Sequence, residues 1–228
     1  MSELEKRIGY RFSSPRLLEE AMRHASLAGG SPGEMSYQRL EFLGDSVLNL
    51  CVAEEMFRRH PDVGEGVLSK ARSAVINNRN LVRVGERIWV PESLRTDPSV
   101  REKGGGVTRK MVADAVEAIA GAIFLDGGYE KAKRFVLAHF WEEKRVADLV
   151  SGFDAKSRLQ EWCQKRRMPL PRYRLLVVSG PAHSHTFTVE AKLADGTGAK
   201  GNGATKKEAE MEAAELLLSL VDTEEDAG

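Results

Sequence analysis

The sequence predicts an all-α domain followed by a small α+β domain of order α-β-β-β-α. Apolar residues recur at helical spacing through the first ~147 residues; beyond Ser151-Gly152 the pattern changes to one amphipathic helix followed by segments that alternate with period two. Charge changes in the same region. Residues 1–150 hold 23 basic and 22 acidic side chains, whereas 156–207 hold 11 basic ones against Glu161, Glu190 and Asp195. These shifts bound a helical domain at 1–147, a linker at 148–153, a second domain at 154–221 and an acidic tail at 222–228.

Each element has a local cause. Ser14-Pro15 reads as an N-cap with proline at the first helical position, followed by Leu17, Leu18, Ala21, Met22 and Ala25. Residues 36–58 form a long pattern that is apolar nearly all round, from Leu40 and Phe42 to Met56 and Phe57, as expected of a central helix. Shorter helical patterns cover 65–76 and 78–88. A glycine-rich, charged loop from Asp97 to Thr108 leads into a second buried helix over 109–126, which Gly127-Gly128 stops. An amphipathic helix follows over 129–146. In the second domain, 154–167 reads as a helix with Leu159, Trp162 and Cys163 on its inner face. Tyr173, Leu175 and Val177, then Phe187, Val189, Ala191 and Leu193, alternate as strands, and Asp195-Gly196 marks a turn. A third strand precedes Gly201-Asn202-Gly203. The last helix runs from Thr205 to about Leu220, with Ala209, Ala213, Leu216, Leu217 and Leu220 on one side.

Composition narrows the class. With 228 residues, 42% hydrophobic and 30% charged, the chain is neither disordered nor collagenous and can bury a core without disulfides. Cys51 and Cys163 lie far apart with no CxxC or His/Cys cluster beside them, a pattern that fits a reduced, cytoplasmic protein and gives no zinc signature. Met1–Tyr10 carries four charges and does not read as a signal peptide, and no run of ~18 apolar residues exists to span a membrane. Lys+Arg and Asp+Glu both total 34, yet this neutrality conceals a net +8 over 156–207, an electrostatic footprint for a polyanion.

The carboxylates of the two apolar helices carry the chemistry. Glu41 and Asp45 are four residues apart, and Asp114 and Glu117 three, so each pair shares a helical face. An unpaired buried carboxylate costs several kcal/mol, so each must be paired, protonated or metal-bound. Two readings stand side by side. In one, Glu41 pairs with Arg39 or Arg72, and Asp114 with Arg109 or Lys110. In the other, the carboxylates face one another around a hard divalent cation, Mg²⁺ or Mn²⁺. Gly44, between the first pair, favours close helix approach and therefore the second reading.

Gln38-Arg39-Leu40-Glu41-Phe42-Leu43-Gly44-Asp45-Ser46 resembles the nine-residue signature of bacterial ribonuclease III, and Ala113-Asp114-Ala115-Val116-Glu117-Ala118 resembles that family's second acidic motif. The resemblance implies an all-α endonuclease domain that forms a homodimer through this domain. Mg²⁺ is the implied cofactor, with Mn²⁺ able to substitute. Glu41, Asp45, Asp114 and Glu117 are then the metal-binding residues, Asp45 and Glu117 the catalytic ones. It also implies cleavage to 5′-phosphate and 3′-hydroxyl ends with short 3′ overhangs, in rRNA and mRNA processing. Glu65 falls where the family carries a glutamate near its catalytic valley, and equally fits a charge at a helix N-terminus. Gln38 stands where many members are acidic, so it is assigned no metal role; His24, in a partial match, reads as structural.

Residues 154–220 resemble a double-stranded-RNA-binding domain. The implied contacts are Gln160 and Glu161 in the first helix, His183 in the loop between the first strands, and Thr205, Lys206 and Lys207 at the start of the last helix. Ammonium groups and free N–H groups at a helix N-terminus favour phosphate, and such domains read the shape of A-form RNA. Two other functions compete: a non-catalytic RNA-binding or ribosome-associated protein, and an all-helical nucleotide pyrophosphohydrolase. Retention of all four carboxylates argues against the first, and the basic second domain against the other.

Overall fold

The structure, a computed structural model, describes residues 1–27, 36–102, 106–181 and 185–225. The chain forms two compact units: Met1–Pro61 with Arg72–Glu142, and Asp62–Ala71 with the chain from Glu143 onward.

The first unit is helical. Its elements are α1 (Glu3–Ile8), α2 (Pro15–Ala21), a 3-10 turn (Ala25–Leu27), α3 (Gln38–Arg59), the end of α4 (Glu65–Val75), α5 (Asn78–Arg87), α6 (Val90–Ser93), α7 (Pro98–Glu102), α8 (Arg109–Gly127) and α9 (Tyr129–Phe140). α8 is the central helix, with every residue from Ala118 to Ile123 buried. Its first turn is fixed by Thr108, whose Oγ1 accepts from the Met111 amide at 3.3 Å. Its far end is tied down by Asp126, which accepts from Tyr10 Oη at 2.7 Å and from the amides of Ser13 and Ser14 at 2.8 Å each. Ser14 thus precedes α2 as expected, but its side chain makes no capping bond.

α3 crosses α8 with backbone against backbone. A Cβ at Gly44 would lie 1.7 Å from the Glu117 carbonyl oxygen, and one at Gly121 would lie 2.4 Å from that of Leu40. Around this crossing Leu48, Ile119 and Ile123 are fully buried, each stabilising the fold by about 1.5–3 kcal/mol. Glu55 is also buried. Arg58 Nη2 and Arg59 Nε hold its Oε1 at 2.6 and 2.5 Å, and Lys133 approaches its other oxygen at 3.4 Å. Burial alone would raise its pKa; the bonds from Arg59, Arg58 and Lys133 outweigh that and bring it to about 2.

Four expectations change here. α3 is not buried all round: Phe42, Leu50 and Phe57 are 81%, 55% and 74% exposed. The helix expected over 129–146 ends at Phe140, where Trp141 turns extended. The expected linker 148–153 lies inside a single helix, α10 (Glu143–Lys165). Gly152 does not break α10, because it serves as a contact: a Cβ there would meet Met211 Cε at 2.4 Å. In the loop expected over 97–108, five residues form α7.

The second unit packs α10 and α11 (Lys206–Glu225) with an antiparallel sheet in order β1 (Arg172–Ser179), β2 (Thr186–Lys192), β3 (Gly198–Gly203). Tyr173 faces Ala191 and Leu175 faces Val189, with a bulge before Val177; Val189 in turn faces Gly201. The turn at Asp195-Gly196 has Gly196 at φ 100 and Asp195 Oδ1 accepting from the Thr197 amide at 2.8 Å. Gly201 lets β3 lie on the α11 backbone, since a Cβ would sit 2.2 Å from the Ala213 amide nitrogen. That contact centres the buried row of α11 on Ala209, Ala213, Leu217 and Val221. Leu216 and Leu220, expected inside, are each 47% exposed. Leu159, Cys163, Ala191 and Leu193 complete this core. Among the described residues, no helix is long and apolar enough to cross a membrane.

Gly44→Ala forces a methyl into the Glu117 carbonyl and is expected to cost about 1–3 kcal/mol in urea unfolding. Gly66→Ala has open space around its Cβ and is expected to leave stability unchanged or raise it by up to about 1 kcal/mol.

Candidate active site and nucleic-acid interface

The α3–α8 crossing brings carboxylates together. Ligand oxygens of Glu41, Asp114 and Glu117 all lie within 4.8 Å of one another. Among the described residues this is the one cluster of three or more such groups that meets this condition. Asp45 is not part of the tight trio. It is exposed one turn further along α3 and lines the same cavity of about 300 Å³ as Asp114 and Glu117. The four expected carboxylates therefore divide three to one.

Electrostatics shows the trio to be under-compensated. At an effective dielectric of ~20, each pair of charges at such separations repels by roughly 3 kcal/mol. Burial, then the charges of Asp45, Glu41 and Asp114, push the Glu117 pKa up to about 7. Burial and the neighbouring Asp114 also raise that of Glu41. Of the expected salt bridges only Lys110–Asp114 forms, with Lys110 Nζ 2.9 and 2.7 Å from the two carboxylate oxygens. Among the described residues no ion pair joins Glu41 to Arg39 or Arg72. A cluster of oxygen donors short of positive charge is what a hard divalent cation requires, so the residues fit Mg²⁺ or Mn²⁺.

Neighbours that motif reading passed over contact the acidic residues or line the cavity beside them. Tyr37, 3% exposed, directs its hydroxyl to Asp114 Oδ2 at 3.5 Å. Burial and the charges of Asp114 and Glu41 raise its pKa, so it stays a neutral donor. Asn49 bonds to Asp45, and Asn77 and Asn78 form the wall at the start of α5. The i,i+4 spacing of Asn49 from Asp45 was a legible signal; the approach of α5 was not. His24 makes local contacts: its Nδ1 accepts from the Ser26 amide at 3.0 Å, and its ring meets Tyr37 edge-on. Gln38 is exposed and lines a separate apolar hollow beside Phe42 and Leu125. Glu65 is exposed in the first turn of α4, accepting from Ser69 Oγ at 2.7 Å.

In the second unit Gln160 and Glu161 are exposed on α10, and Lys206 and Lys207 are exposed at the start of α11. Thr205 caps α11 reciprocally with Glu208: Thr205 Oγ1 accepts from the Glu208 amide, and the Thr205 amide donates to Glu208 Oε2, both at 3.2 Å. Lys207 Nζ rests 4.5 Å from the Phe153 ring centroid, and Lys206 Nζ lies 3.9 Å from Glu210. Both ammonium groups are thus partly preordered at a helix end whose dipole favours anions. His183 lies outside the described residues.

The chain matches the Ribonuclease-III-like family over residues 14–144 and the Double-stranded RNA binding motif over 155–221. It is 41% identical over 223 residues to Ribonuclease 3 of Alkalilimnicola ehrlichii, covering 96% of this chain and 95% of that one. It is 38% identical over 218 residues to Ribonuclease 3 of Phenylobacterium zucineum, at 96% and 92% coverage. The solved nuclease domain of ribonuclease III from Campylobacter jejuni superposes with a TM-score of 0.55 at 33% identity, covering 61% of this chain and 97% of that one. With both regions present in one polypeptide and relatives matching nearly end to end, the chain belongs to the ribonuclease III family.

Proposed function

We propose that this protein is a Mg²⁺-dependent endoribonuclease that cleaves double-stranded RNA, with Mn²⁺ able to replace Mg²⁺. The observation that carries the reading is the convergence of Glu41, Asp114 and Glu117 at the α3–α8 crossing, in a chain that also holds a double-stranded RNA binding motif. These three residues hold the ion, with Asp45 joining them from the rim. When bound, the ion supplies electrophilic polarisation of the scissile phosphate and activation of the attacking water. Lys110 offsets part of the negative charge, and Tyr37 fixes Asp114. Asp45 and Glu117 are the catalytic residues. The products are 5′-phosphate and 3′-hydroxyl ends with short 3′ overhangs, generated in rRNA and mRNA processing in the cytoplasm.

The protein acts as a homodimer through its helical domain, functionally 1–147. Exposed Phe42, Leu50 and Phe57 on α3 support this reading, as does the hollow of about 620 Å³ lined by Leu17, Leu43 and Leu125; exposed apolar clusters of this kind mark interfaces. The Campylobacter structure, too, is described as having a region involved in dimer formation. The RNA-binding domain, 154–221, engages the duplex through Gln160, Glu161, His183, Thr205, Lys206 and Lys207. Glu65 is assigned to the edge of the catalytic valley.

Glu117→Gln is expected to abolish cleavage of a long RNA duplex in Mg²⁺ while leaving duplex binding within about twofold in a filter or gel-shift assay. Full retained activity would sink the assignment. The same variant tests the electrostatics. Because the folded pKa of Glu117 is raised from 4.5 to about 7, its contribution to stability is present below pH ~4.5 and is lost as pH rises through 7. With chelator at pH 8, Glu117→Gln should therefore unfold about 1–3 kcal/mol later than the parent, a difference that vanishes near pH 4.5. Lys206→Ala combined with Lys207→Ala should weaken duplex binding and flatten the slope of log K against log salt by up to about 2. An unchanged slope would exclude their phosphate contacts.

A further inference from the structure

We propose that Asn49 is a positioning residue of the acidic site: its amide locks the Asp45 carboxylate by one oxygen and leaves the other available to a bound cation. The inference rests on the metal-nuclease reading above and goes beyond it, because Asn49 belongs to neither acidic motif.

Asp45 is the outlier of the four carboxylates. It stands outside the tight trio and is exposed on the surface of α3, where an aspartate is ordinarily free to change rotamer. Asn49, one turn later, removes that freedom. Its Nδ2 donates to Asp45 Oδ1 at 3.0 Å and to the Asp45 carbonyl at 2.9 Å, which uses both amide hydrogens. Oδ2 is the carboxylate oxygen this clamp does not hold. Both residues line the cavity that also holds Asp114 and Glu117.

The chemistry of the clamp matters as much as its geometry. Asp114 is held by an ammonium, Lys110 Nζ, which reduces the net negative charge of the cluster. An amide orients a carboxylate without adding charge, so Asp45 keeps its full attraction for a cation. An asparagine that bonds back to the preceding turn is also a poor choice for helix stability, disfavoured relative to alanine or leucine. A locally unfavourable residue at the rim of an acidic cavity is accounted for by the site it orders.

The test uses the full-length protein with Asn49→Leu, and with Asn49→Ala as a second variant in case the leucine misfolds. Mn²⁺ affinity is measured by electron paramagnetic resonance without RNA. Duplex cleavage is then followed as a function of Mg²⁺ and of RNA concentration. The expected result is a five- to tenfold weaker Mn²⁺ affinity and a matching rise in the Mg²⁺ needed for half-maximal rate. KM for the duplex should stay within twofold, and the melting temperature at or above that of the parent. Unchanged Mn²⁺ affinity in a folded variant overturns the proposal, as does an effect confined to KM, which would make Asn49 an RNA contact. If the parent binds Mn²⁺ yet cleaves no duplex, the proposed function fails while the Mn²⁺ comparison still decides the role of Asn49.

Discussion

The approach of α3 to α8 at Gly44 and Gly121 is the constraint on which the acidic site depends. With no Cβ at either position, the helices meet backbone to backbone, without intervening side chains. Glu41 precedes Gly44 by one turn, and Glu117 precedes Gly121 by one turn, so the same contact that joins the helices brings their carboxylates into mutual range. Any side chain at these glycines would have to separate the helices, and the three ligand oxygens with them. The central position of α8 follows from the same geometry. A helix approached this closely needs an apolar surface nearly all round, and the buried run from Ala118 to Ile123 supplies it.

The cost of this arrangement is electrostatic. Evolution usually compensates buried carboxylates, and the same unit shows how: Glu55 is surrounded by Arg58, Arg59 and Lys133, and its pKa falls to about 2. Glu117, on the partner helix, sits among Asp45, Glu41 and Asp114, and its pKa rises to about 7. Two glutamates in one fold are thus driven in opposite directions, one towards permanent charge and one towards a proton. The first is a finished structural group. The second is stable only when a proton or a cation supplies the missing charge, the signature of a functional carboxylate.

The features that were legible in the sequence were local ones. α3, α5 and α8 follow from apolar spacing, whereas the caps at Thr108 and Asn77 emerge only in the structure. The glutamate and aspartate pairs were readable because i,i+3 and i,i+4 spacing fixes a shared face. Gly44 was readable because glycine within a helix is unfavourable without a reason. The rest required partners distant along the chain. Gly152 looks like a break until Met211 is seen against it, and Leu216 and Leu220 look buried until Gly201 fixes which row of α11 faces the sheet. The separation of Asp45 from the other three carboxylates, and the wall formed by Asn77 and Asn78, depend on how helices meet. Spacing within one helix carries no record of that.

The two ends of α8 add a mechanical consequence. Thr108 grips the first turn, and Asp126 is latched to Tyr10, Ser13 and Ser14 near the last. The Thr108 bond stays within the helix, whereas the Asp126 latch ties α8 to a separate segment and so resists any slide or screw along the helix axis. A slip of a single residue would move Glu117 about 1.5 Å along the axis and turn it by about 100° away from Glu41. The N-terminal segment, remote in sequence from every acidic residue of the cluster, therefore acts as an end-stop that keeps the two halves of the site in phase.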